Sequence, residues 1–135
     1  MTLLSVLDQS PIRNGATPAD AVADTLALAE HVDQLGFHRY WLAEHHSSNG
    51  LAGAAPEIMI PQVAGRTQGI RVGSGGIMLS HYSPLKVAEA FRTIETLYPG
   101  RIDLGIGRAP GSDRVTDQAL QTGPGSLGPE HYPMQ

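Results

Sequence analysis

Three stretches of the 135-residue chain carry residue types that can do chemistry. The first, Glu44-His45-His46, closes the apolar run Tyr40-Trp41-Leu42 and dissolves into Ser47, Ser48, Asn49 and Gly50. Histidine donates, accepts or shuttles a proton near neutral pH, so a catalytic or ligand-positioning role suits one of the pair. A shared metal ion suits them poorly, because adjacent side chains on an extended chain point to opposite faces. No HExxH pair or similar spacing occurs elsewhere to complete such a site, and no metal is expected. Two partly exposed loop histidines are the plain alternative. The second stretch, Gly73-Ser74-Gly75-Gly76, sits inside a strand-like run, where glycine marks a bulge, a bend or the close approach of a flat ligand. It is not a dinucleotide fingerprint, which follows a strand and opens a helix. The third runs from Gly105 through Gly107 and Arg108 to Ser112. Glycines after a strand let backbone N–H groups approach an anion, and Arg108 can fork onto a phosphate. A tight turn with a solvated Arg108 explains the same residues. His31 and His38 read as surface residues, and His81 as a loop or capping residue within reach of the same region.

Positioning these residues requires alternating strands and helices. Leu3 to Leu7, Arg39 to Ala43, Ile70 to Leu79 and Arg101 to Gly107 read as strands. Thr17-Pro18-Ala19-Asp20 opens a helix, with Thr17 as cap, Pro18 in the first turn and Asp20 at the positive end of the dipole. Val22, Leu26, Ala29 and Val32 continue it at helical spacing up to Gly36. A second helix runs from Pro56 to about Thr67. A third starts at Ser83-Pro84 with Val87, Phe91, Ile94 and Leu97 on one face, and Ser112 to Gln121 offers a fourth. Connections this short demand parallel strands and right-handed crossovers. Either an open doubly wound sheet or a (β/α)8 barrel accepts the pattern, and both bind ligands at the carboxyl ends of strands. Asp8-Gln9-Ser10, Glu44-His45-His46, Ser80-His81-Tyr82 and Arg108 to Ser112 all fall there. A flavodoxin-like sheet ranks lower, since Asp8-Gln9-Ser10-Pro11 stands where its phosphate loop belongs.

Composition narrows the partners. The chain has no cysteine, which excludes disulfides and thiolate metal sites. A net charge of −4 with no basic run argues against nucleic acid. No run approaches the ~18 apolar residues of a membrane span, and no signal-peptide pattern opens the chain. A cytoplasmic protein is the expectation.

These stretches together resemble the bacterial-luciferase-like family of flavin-dependent monooxygenases. The likeness runs through Leu35-Gly36-Phe37-His38-Arg39-Tyr40-Trp41-Leu42-Ala43-Glu44-His45-His46, then Val72 to Leu79, Pro84, and Gly100 to Arg108, in the expected order over about residues 3 to 121. The resemblance implies a (β/α)8 barrel that binds reduced FMN at its carboxyl mouth, reacts it with O2 and oxygenates a small organic substrate. Related branches use the deazaflavin F420 for hydride transfer instead. By position, His45 matches the family's catalytic histidine. Gly75-Gly76 matches the segment under the flavin ring, which often carries a non-proline cis peptide, and Arg108 matches an arginine at the flavin phosphate. Gly107 stands where the luciferase itself has a cysteine, which argues against light emission.

A complete barrel of this kind takes about 250 residues. Residues 1–121 are therefore expected to form the N-terminal part, about four βα units, and 122–135 a Gly/Pro-rich tail or interrupted loop. The expectation is a chain inactive and weak in FMN binding by itself, complete only with a C-terminal half; the raw edges of the first and fourth strands imply self-association or a homo-oligomer. A non-catalytic flavin-binding or partner subunit is the alternative.

Overall fold

A computed structural model describes residues 2–109 and 113–120. Strands β1 (Ser5–Asp8), β2 (Arg39–Leu42), β3 (Arg71–Met78) and β4 (Ile102–Gly107) alternate with helices α1 (Pro18–Gln34), α2 (Pro56–Arg66), α3 (Pro84–Leu97) and α4 (Arg114–Leu120). A single 3-10 turn, Leu79–His81, follows β3. The expected elements are all present, with ends shifted by a residue or two. Leu3 and Leu4 precede β1 and are exposed, and Ala43 lies just past β2. Pro110, Gly111, Ser112 and the Gly/Pro-rich stretch from 122 lie outside the described residues.

Local chemistry explains the starts. Thr17 caps α1 reciprocally: its hydroxyl accepts from the Asp20 N–H at 3.2 Å, and the Asp20 carboxylate accepts from the Thr17 N–H at 2.8 Å. Pro56 and Pro84 open α2 and α3, where a missing N–H costs nothing.

The four strands pair in parallel in the order β1-β2-β3-β4. Each crossover therefore steps in the same direction. Right-handed crossovers that never reverse put their helices on one face, whereas a doubly wound sheet reverses at a switch point. The described strands form part of the wall of a (β/α)8 barrel. On the helix face, Tyr40, Leu42, Val72 and Ile77 pack with Leu26, Ala29 and Val32 of α1, Ile60 and Val63 of α2, and Phe91 and Ile94 of α3. The opposite face carries Leu7, Trp41 and a run of glycines.

Two polar devices set the sheet ends. At the amino end of β3, the Asp33 carboxylate accepts the N–H groups of Gln68, Gly69 and Ile70 at 2.6, 3.1 and 2.7 Å. Burial pushes its pKa up, but these three donors outweigh burial and hold it below the usual carboxylate range. Arg101 clamps the same loop, donating to the carbonyls of Ile70 and Gln68 at 2.6 and 2.8 Å. At the carboxyl end of β1, the buried Tyr40 hydroxyl donates to Asp8 Oδ2 at 2.6 Å, while Asp8 Oδ1 accepts from the Ser10 N–H at 2.8 Å. Burial, then the Asp8 carboxylate, pushes the Tyr40 pKa up. Removing a donor from a buried carboxylate costs about 2 kcal/mol, so Tyr40→Phe is expected to lose about that much stability in urea denaturation. An unchanged midpoint would show that Asp8 finds another partner.

Candidate functional site

Gly75, Gly76 and Arg108, singled out in the sequence, come together in one cleft of about 530 Å³ at the carboxyl ends of β3 and β4. Leu7, Trp41 and Gly107 also line it. The Gly75–Gly76 peptide is cis. Between Ser74 and Ile77 the pairing of β3 with β4 slips, so a bulge falls on this dipeptide. A Cβ on Gly75 would stand 2.9 Å from Trp41 Cβ and 3.0 Å from Leu7 Cδ1, and one on Gly76 2.9 Å from the Gly105 carbonyl oxygen. No side chain fits at either position without displacing a neighbour, and the cleft floor is bare backbone. The buried Ser74 hydroxyl repairs the ladder beside the bulge. It donates to the Gly105 carbonyl at 2.8 Å and accepts from the Gly105 N–H at 3.1 Å. Sequence reasoning did not single out Ser74; its only signal was a polar residue flanked by glycines inside a strand.

His45 is not among the residues lining the cleft. It follows β2 in a loop tied down by its own N–H, which donates to the Gly53 carbonyl at 2.8 Å. Its Nδ1 is buried and has no hydrogen-bond partner among the described residues. His46 turns instead to Glu44, with Nε2 2.6 Å from Oε1.

Glu44, expected from the sequence to hold its neighbour or the loop rather than to act in catalysis, is fully buried. Beside His46, its Oε1 accepts from the Tyr82 hydroxyl at 2.6 Å, and its Oε2 accepts from the Met78 N–H at 2.8 Å. Burial, reinforced by the Glu44 bond, pushes the Tyr82 phenol pKa up. His81, expected in a loop or capping role, is buried on the 3-10 turn. Its ring stands edge-on to those of His46 and Tyr82, and its Nδ1 lies 3.9 Å from Asp117 Oδ1. No group of three or more His, Cys, Asp or Glu able to hold a metal ion occurs among the described residues. Arg108 is exposed at the cleft margin, where its guanidinium is available to an anion.

Comparison with known proteins gives this geometry a family. The sequence profile of the luciferase-like monooxygenase family matches residues 2–119. N-acetyl-S-alkylcysteine monooxygenase of Bacillus subtilis is 50% identical over 121 residues, 90% of this chain and 36% of that protein. The crystal structure of apo-MsnO8 is 52% identical with a TM-score of 0.86, over 89% of this chain and 36% of its own. The oxygenating constituent of 3,6-diketocamphane monooxygenase from Pseudomonas putida is a type II Baeyer-Villiger monooxygenase solved in complex with FMN. It superposes with a TM-score of 0.80 at 22% identity, over 89% of this chain and 32% of its own, a likeness of fold alone. The chain thus spans about a third of the length of these relatives. The profile covers nearly all of it, and the chain belongs to the luciferase-like monooxygenase family.

Proposed function

We propose that this chain is the flavin-binding wall of an FMN-dependent monooxygenase that works with reduced FMN and O2 on a small organic substrate. The observation that carries the reading is the bare backbone floor at Gly75–Gly76, walled by Trp41 and Leu7. A flat aromatic ring system fits a floor from which no side chain rises. Gly75 and Gly76 would lie under the ring, and the Arg108 guanidinium would take the phosphate. Reduced FMN, when bound, supplies the electrons that activate O2. The protein's part is to orient the ring, keep water from it and handle a proton. His45 is the residue for the last task, because its Nδ1 has no competing partner among the described residues whereas His46 is engaged by Glu44.

Titration of the 15N-labelled chain with FMN, riboflavin and F420, followed by amide NMR, tests this. Saturable shifts at Gly75, Gly76 and Gly107, larger with FMN than with F420, are expected even where affinity is low. Arg108→Ala should weaken FMN about tenfold and leave riboflavin unchanged, as loss of one charge-assisted phosphate contact requires. If the three glycines stay still while other amides move, the flavin reading is wrong. Tighter binding of F420 would move the assignment to hydride transfer.

A further inference from the structure

We propose that Glu44 is a positioning residue: it locks the loop carrying His45 to the floor of the cleft, and so fixes the proton-handling side chain against the ring site. The proposal rests on the functional reading above.

Its basis is the set of partners gathered on one carboxylate. Glu44 has no exposed surface and does not line the cleft. Its three hydrogen-bond partners come from separate places. His46 belongs to the His45 loop, Met78 is the last residue of β3 and lines the cleft two positions past Gly76, and Tyr82 follows the 3-10 turn. One residue thereby joins the His45 loop to the cleft-lining end of β3 through bonds of 2.6, 2.6 and 2.8 Å. A buried carboxylate is costly and is tolerated only where donors surround it. Space filling alone does not call for an acid here, because glutamine has nearly the same shape. What glutamine lacks is a second acceptor oxygen: turned to keep the Met78 N–H, it would present its NH2 to His46 Nε2 and the Tyr82 hydroxyl, and both would have to reverse their roles to accept. A carboxylate binds the Met78 backbone, the His46 ring and the Tyr82 hydroxyl at once without such a reversal, and so holds the two segments in one arrangement.

The test compares the wild-type chain with Glu44→Gln by NMR. With far-UV circular dichroism unchanged, the variant should exchange its Met78 amide about tenfold faster, the loss expected for one bond to a charged acceptor. The imidazole 15N signals of both His45 and His46 should shift. In the FMN titration the dissociation constant read at Gly75 and Gly76 should rise about tenfold, and the response of the His45 ring to FMN should vanish. A merely structural acid would leave the His45 response intact in a folded variant. Wild-type Met78 exchange, or a wild-type His45 response in folded Glu44→Gln, would overturn the proposal. Should Glu44→Gln fail to fold, Tyr82→Phe decides, because it removes one donor and keeps the carboxylate. A partial weakening of the FMN response supports the lock, and no change refutes it. Should the wild-type chain show no FMN binding, the functional reading falls by itself. The lock is then judged on Met78 exchange and the His45 ring signal without ligand.

Discussion

Alanine at Gly105 is expected to destabilise the chain by about 3 kcal/mol in urea denaturation, near the upper end of the overpacking range. The new Cβ would overlap the carbonyl oxygen of Ser74. That oxygen is backbone in the centre of the sheet, and it cannot swing aside as a flexible side chain could. Moving it would also break the two bonds between the Ser74 hydroxyl and Gly105 that repair the β3–β4 ladder. The same Cβ would also touch the Trp41 ring, 3.7 Å away. Gly75→Ala should cost less, because one of its two close neighbours is the exposed Leu7 side chain at the edge of the sheet. Gly50→Ala, whose Cβ would meet nothing nearer than 4.0 Å, is the control and should be close to neutral. The order Gly105, Gly75, Gly50 is the content of the prediction. Equal losses at Gly105 and Gly50 would mean that the close approach of β3 and β4 does not hold in solution.

That close approach also marks where the sequence stopped being legible. Alternating periodicity gave the strands and helices in order, because each element records its own burial face in its spacing. It left the barrel and the doubly wound sheet equally open, since strand neighbours are chosen by tertiary pairing and not by any one segment. The glycine run at 73–76 signalled an irregular strand, and the bulge falls there. Ser74 went unnoticed because its role depends on Gly105, 31 residues away. The same reason hid the Glu44 network. One of its donors is the backbone N–H of Met78, a group every residue but proline carries, so no residue type announces it. Alternation did suggest that His45 and His46 would part. What it could not supply is which ring is engaged, and that follows from where the Glu44 carboxylate lies.

Asp103 should make the chain acid-sensitive in a way that Asp103→Asn removes. Its carboxylate lies between two guanidinium groups, accepting from Arg71 Nε and Nη2 at 2.9 and 2.6 Å and from Arg39 Nε at 2.8 Å. The hydrogen bonds from Arg71 lower its pKa most; burial works against them, and Arg39 adds to the lowering. A folded-state pKa held below the unfolded value of about 3.9 fixes the sign. Above that value the carboxylate is ionised in both states and the stabilisation is fully present. As the pH falls below it, the unfolded chain takes up the proton first. The stabilisation then drains away until the pH has passed the lower folded value. All three side chains are partly exposed, which limits the contribution to about 1.5 kcal/mol. Asp103→Asn should therefore be about that much less stable at pH 7, with the gap closing as the pH drops through the window below about 3.9. Comparing the two proteins cancels the other carboxylates, and parallel stability curves across that window would refute the assignment. The same ion network reaches the cleft, because Arg39 Cζ stands 5.8 Å from the centroid of the Trp41 ring. Trp41 is the single tryptophan of the chain, so its fluorescence reports on the wall directly. Emission should differ between Asp103→Asn and wild type at pH 7 and converge in the same acid window, before global unfolding. A wild-type spectrum in the variant would show that Asp103 stabilises the sheet without holding Arg39 over the cleft wall.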